Sequence, residues 1–218
     1  MTGAATTVLS ELELDALTEL VNLGVSKAAF SLREMIGQQV ILSVPSVRLI
    51  GRSQAIDVLA SAQPSQLVAV HQVFEGDITG RALLIFPETK SLELVRAVTS
   101  GGLSLEDIIE LEQEALAETG NVILNSCLAT IANQLQRTLK ISLPEILRGD
   151  SRALFTLPPP PDAGEVVLFV YINFSIQERD IRGYIAMLMD MPSLATLQLL
   201  LADYIRRVTG EAASNSNA

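Results

Sequence analysis

The chain repeats itself, and the repeat restricts its architecture more than any single motif does. An offset of 99 residues sets Glu19 on Glu118, Asn22 on Asn121, Ser43 on Ser142 and Pro45 on Pro144. The same offset lays the apolar run 67–73 on 166–172. Past the turns that follow, the offset grows, and Ile78-Thr79-Gly80 falls on Ile181-Arg182-Gly183. The two copies run from 9 to 101 and from 109 to 208. Each reads as helix, three strands, helix.

Local signals place these elements. Ser10 followed by Glu13 is a capping-box pattern, and Gly37 is a natural helix stop, so a long helix is predicted between them. Residues 40–47 read as a strand in which Pro45 suits an edge or a bulge. Residues 53–65 read as a loop or short helix. Strands at 67–74 and 79–86, joined by Glu75-Gly76-Asp77, form an antiparallel hairpin. Pro87 opens a helix that Gly101-Gly102 ends. In the second copy the spacing predicts a helix over 109–139 and a strand over 141–146. A rigid loop at Pro158–Pro161, a hairpin from 166–174 and 181–189, and a helix from Pro192 to about Val208 complete it. The small, polar stretch 211–218 is expected to be a disordered tail.

Half of a 218-residue chain is a marginal domain, so the halves are expected to share one core with approximate two-fold symmetry. The fold class expected is α+β, with long helices packed on antiparallel sheet. The 49% of apolar residues is enough to build that core. A net charge of −10 with no basic cluster argues against nucleic acid. One histidine (His71) and one cysteine (Cys127) leave no intramolecular disulfide and no Cys/His metal cluster. The segment 1–8 lacks the features of a signal peptide, and the run 166–172 is too short to span a bilayer as a helix. A cytoplasmic protein without membrane contact is expected.

Helical geometry locates the residues able to carry chemistry. At 100° per residue, Leu14, Leu17, Val21, Gly24, Val25, Ala28, Leu32 and Met35 fall within about 140° of arc. Asp15, Glu19 and Asn22 lie within roughly 60° of one another, nearly opposite that stripe. The second long helix repeats the arrangement. Leu116, Gly120, Ile123, Leu124, Cys127 and Ile131 form its stripe, and Glu114, Glu118 and Asn121 its polar row, continued by Asn125. A polar row opposite an apolar stripe is usually only a solvated face. Here the Glu-x-x-Asn pair recurs at the matching place in both halves, and Asn is a mediocre helix former. Such groups offer no strong nucleophile. A Glu can pair with a partner's cation, and an Asn amide can orient a water, as a Gln does in GTPases.

At these residues the sequence resembles the CheC/CheX/FliY family of chemotaxis phosphatases, whose signature is Asp/Ser/Glu-x-x-x-Glu-x-x-Asn. It stands here as Asp15-x-x-x-Glu19-x-x-Asn22 and as Glu114-x-x-x-Glu118-x-x-Asn121. The resemblance covers about 12–208 and is nearest to the two-site CheC. It implies hydrolysis of the aspartyl-phosphate of a CheY-type response regulator. Carried over, Glu19 and Glu118 would pair with the regulator's lysine, and Asn22 and Asn121 would orient the attacking water. Asp15 and Glu114 would position or dock. No metal site of its own is implied; Mg²⁺ would come with the regulator. The deamidase CheD is a further partner known to the family. The second half keeps the family's Gly before Asn (Gly120) where the first has Val21, which ranks the second site ahead. Two other classes compete: a non-catalytic adaptor for a regulator or CheD, and a structural part of a signalling or flagellar complex. A FliY-like C-terminal extension past Val208 is not expected, which counts against the last.

Overall fold

The first helix begins where the capping pattern requires. The Ser10 hydroxyl accepts the Glu13 amide, and the Glu13 carboxylate accepts the Ser10 amide at 2.7 Å. Helix α1 (Glu11–Ile36) runs on to Gly37, whose φ of 71° ends it in the left-handed conformation. The computed structural model describes residues 9–63, 66–98, 104–156, 165–176 and 179–210. Gly101-Gly102, Pro158–Pro161 and 211–218 lie outside these. After α1 come β1 (Val40–Gly51), α2 (Arg52–Ala62), β2 (Leu67–Gly76), β3 (Gly80–Pro87) and α3 (Glu88–Val98). The second half contains α4 (Leu105–Gln134), β4 (Leu139–Ile141), β5 (Glu145–Gly149), α5 (Ser151–Phe155), β6 (Glu165–Ile176), β7 (Arg179–Asp190) and α6 (Met191–Thr209).

The described strands form one seven-stranded sheet in the order β1-β6-β7-β3-β2-β4, with β5 also on β2. Every pairing is antiparallel. The order is its own reverse when the halves are exchanged. The first strand of each half pairs with the hairpin of the other: β1 with β6, and β4 and β5 with β2. The hairpins meet at β3 and β7. Val70 pairs with Leu84 and Val170 with Ile185, and Leu84 in turn pairs with Ile185. The pseudo-two-fold axis therefore passes through the Leu84–Ile185 pair. The α+β class, the antiparallel sheet and the two-fold expectation hold.

Several details differ from the sequence reading. The short helix α2 falls where residues 53–65 read as a loop or short helix, but the second half carries a matching helix, α5, that the sequence reading does not include. The strand expected over 141–146 is two strands, because Pro144 has no N–H for the ladder. Its counterpart Pro45 sits in edge strand β1, beside a bulge between Ser43 and Ser46. Helix α4 starts at Leu105, four residues before the expected 109, because Ser104 and Asp107 form a second capping box. It ends at Gln134 rather than 139, where Gln136 turns the chain at φ 58°.

The hairpins also align differently. Ser43 faces Asn173 across β1 and β6, whereas Ser142 donates its amide to the Val73 carbonyl. Val73 thus matches Asn173, an offset of 100. A slip of one residue exchanges the two faces of a strand. The offset of 100 puts Phe74 on Phe174 and Val70 on Val170, all in one core layer. The helix N-caps Gly51 and Asp150 still keep 99, so the extra residue enters between the short helix and the hairpin. Gly183 consequently matches Ala82, not Gly80.

Two cores flank the sheet. The larger joins α1, α3, α4 and α6 to the face bearing Val68, Val70, Phe74, Leu84 and their counterparts. The smaller joins α2 and α5 to the face bearing Leu67, Ala69, Leu83 and Phe169. On the larger side the two long helices meet closely: a Cβ on Gly24 would stand 2.7 Å from the Cys127 Cα.

Candidate functional site

Each long helix carries the acidic residues of its signature outward. Asp15, Glu19, Glu114 and Glu118 are exposed, and Asn22 and Asn121 are half-buried. The apolar stripes lie inward as predicted, with two changes. Met35 is 44% exposed because Ile36, one residue on, takes the core position. Leu20 and Thr119, which the helical wheel left out, are buried and widen the buried face. That widening brings each Asn to the shoulder of its helix rather than opposite the core. Val21 is fully buried, so its difference from Gly120 is one of packing.

The second site contains a residue that sequence reasoning missed. Gln72 on β2 is fully buried and donates its Nε2 to Asn121 Oδ1 at 3.0 Å and to the Ser142 carbonyl at 2.9 Å. Asn125 Nδ2 donates to the same Asn121 Oδ1 at 2.7 Å. The Pro144 break contributes here, since Ser142 lies in the gap between β4 and β5. Gln72 Oε1 is buried with no hydrogen-bond partner among the described residues, which costs stability. A signal was present: Val68, Val70, Gln72 and Phe74 line the core face, and Gln72 alone is polar there. In the first half Ile172 takes the place of Gln72 and the exposed Ser26 that of Asn125. Asn22 has no side-chain hydrogen bond to any described residue.

Gly120 sets the distance between this site and the sheet. A Cβ there would lie 2.4 Å from Val70 Cγ2 and 2.5 Å from Val70 Cβ. Only a glycine lets α4 approach β2 so closely, next to Asn121. Cys127 is not a nucleophile: burial pushes its thiol up to about 12. Among the described residues, no three His, Cys, Asp or Glu side chains group as metal ligands. No helix among the described residues is long and apolar enough to cross a membrane.

His71 points to the opposite face of β2. It is buried, with Nδ1 3.4 Å from Glu145 Oε2 and Nε2 without a partner among the described residues. Desolvation lowers its pKa below the usual 6.5, against the raising effect of Glu145. The folded protein therefore holds a neutral imidazole that the unfolded chain protonates more readily. Its contribution to stability is complete above about pH 6.5 and is lost as pH falls toward the lower folded value. Urea midpoints should drop between pH 7.5 and 5.5, and His71→Gln should flatten that drop. An equal drop in the variant would remove His71 as the cause.

Known proteins are similar to this chain in sequence and in fold. A model of the CheC-like family matches residues 12–48, which span α1 and most of β1. The chain is 26% identical over 144 residues to the CheY-P phosphatase CheC of Bacillus subtilis, covering 63% of this chain and 67% of that one. It is 26% identical over 140 residues to the flagellar motor switch phosphatase FliY of the same organism, covering 63% of this chain but only 36% of FliY. Among solved structures, Thermotoga maritima FliY superposes with a TM-score of 0.69 at 20% identity, covering 91% of this chain and 100% of that chain. FliM in its complex with SpeE from H. pylori gives 0.61 at 13% identity, covering 91% and 98%. The chain is thus similar in sequence to CheC over part of its length, and its fold is similar to that of FliY.

Proposed function

We propose that this CheC-like chain hydrolyses the aspartyl-phosphate of a CheY-type response regulator and so ends its signal. One observation carries the reading: two helices present an exposed Glu and, one turn on, a half-buried Asn, at matching places in the two halves. The names of the CheC and FliY relatives support the same chemistry. In this mechanism Glu19 or Glu118 pairs with the regulator's lysine, which fixes the regulator over the helix. Asn22 or Asn121 holds a water in line with the phosphorus. The water oxygen bonds to phosphorus, the bond from phosphorus to the aspartyl oxygen breaks, and the free carboxylate and inorganic phosphate leave. Positioning of this kind is the main catalytic resource in phosphoryl transfer. Asp15 and Glu114, one turn before each Glu, dock the regulator. The metal belongs to the substrate: the regulator brings its own Mg²⁺, and this chain adds no cofactor. The protein acts in the cytoplasm.

Residues 9–208 act as one domain of two pseudo-repeats in this reading. The exchange of first strands between halves supports it, since neither half keeps its own sheet edge. An adaptor that binds a regulator or CheD without hydrolysis is the alternative. Phosphate release from a panel of phosphorylated response regulators, with and without the protein, decides between them. At least one regulator should lose phosphate faster. Binding without acceleration of any regulator would leave the adaptor.

A further inference from the structure

We infer that Gln72 is a positioning residue that makes the second site a hydrogen-bond donor only, so that the two sites are chemically unequal. This rests on the phosphatase reading above.

The argument starts at a main-chain carbonyl. Ser142 C=O can only accept, so the Gln72 amide must turn its Nε2 toward it, at 2.9 Å. The same Nε2 then faces Asn121 at 3.0 Å, so the Asn121 atom there must be its oxygen. Asn125 Nδ2, at 2.7 Å, takes the second lone pair of that oxygen. An amide oxygen has two lone pairs, and both are now occupied. Asn121 cannot accept from a water. It is left with Nδ2, whose two protons point away from the network. Asn121 must therefore hold the attacking water by donating to its oxygen, and the water's own protons must go to the phosphoryl group or to Glu118, one turn away. Nothing in the first half imposes this. Ile172 replaces Gln72, Ser26 replaces Asn125, and Asn22 is free to rotate its amide. The buried and unpartnered Gln72 Oε1 supports a role other than stability. An apolar residue of similar size fills the matching place in the first half, so the glutamine is not needed for packing.

The test uses Gln72→Ile, which copies the first half, in an Asn22→Ala background where only the second site remains. Steady-state hydrolysis of a phosphorylated regulator should show kcat falling roughly ten- to hundredfold with KM unchanged, as expected when a group is misplaced rather than removed. In ¹H–¹⁵N spectra the Asn121 side-chain NH₂ pair should show dispersed shifts set by one fixed amide orientation with Gln72 present, and move toward random-coil shifts in the variant. An unchanged kcat, or a change confined to KM, would overturn the role of Gln72. If the Asn121 NH₂ signals move to random-coil shifts in Gln72→Ile while kcat holds, positioning by Gln72 is again refuted and the phosphatase reading stands. If the Asn22→Ala background shows no hydrolysis that depends on Asn121, the phosphatase reading of this site fails instead. The NH₂ signals then still report whether Gln72 orders Asn121.

Discussion

Replacing Asn22 and Asn121 together with alanine lowers the accelerated hydrolysis of a cognate regulator by about 10²-fold, the scale seen when a positioned polar group is removed from a transition state. Alanine suits the experiment. It is the best helix former, so neither α1 nor α4 loses its helix. Both asparagines are half-buried at a helix shoulder, so the truncation opens no sealed cavity. Binding to the phosphorylated regulator should stay near wild type while kcat falls, and stability should drop only by the about 1–3 kcal/mol that orphaning one buried Gln72 N–H costs. The single variants should differ. Asn121→Ala removes the amide that Gln72 and Asn125 hold in place, and should cost more than Asn22→Ala. Glu19→Ala with Glu118→Ala acts on the other quantity: the lost pairing with the regulator's lysine weakens docking, so KM rises before kcat changes. Full acceleration in the double Asn variant would end the assignment of these residues and leave the adaptor reading.

Some of this could be read from the sequence, and the boundary has a physical basis. Helical facts were legible because period and capping are local. Ser10 with Glu13, Gly37 and the Leu17 to Leu32 stripe define α1 without reference to any other segment. The offset of 99 between the long helices is reproduced at every buried position, from Leu17 and Leu116 to Ala28 and Cys127. Sheet facts were less legible. The offset of 100 between hairpins is set by which carbonyl Ser142 meets across the sheet, and no pattern within residues 67–73 reports that. The five-residue α5 is too short for periodicity to reveal it. The acidic half of the site was readable as a motif. Its bracing was not, because it joins Gln72, Asn121 and Ser142, which are 49 and 70 residues from Gln72 along the chain. A buried polar residue on an apolar strand face was the one available clue.

Gly120→Val, which gives the second half the residue of the first, should destabilise the protein by about 3 kcal/mol through overpacking. At about 3 °C per kcal/mol for a chain of this size, the melting temperature should fall by about 9 °C. The clash is specific. A Cβ at position 120 meets the Val70 Cβ at 2.5 Å as well as both Val70 methyl carbons. Rotating Val70 therefore cannot relieve it, and α4 must move off β2. This predicts an unusual pattern of rescue. Val70→Ala keeps the offending Cβ and should not restore stability. Val70→Gly removes it and should recover part of the loss in the double variant, a coupling of about 1 kcal/mol or more despite the intrinsic cost of glycine in a strand. Rescue by Val70→Ala as complete as by Val70→Gly would mean that the methyl groups, and not the helix-to-strand distance, set the cost. The same movement reaches the chemistry. Gln72 lies two residues from Val70 on the same face, and its 3.0 Å bond to Asn121 spans the gap that Gly120 keeps narrow. Lifting α4 by about 1 Å would take that bond past the range of a hydrogen bond. In an Asn22→Ala background, Gly120→Val should then lose kcat even at temperatures where the protein is fully folded. In the first half the buried Ile172, which is apolar, takes the place of Gln72, so no such polar contact there depends on the distance between helix and sheet.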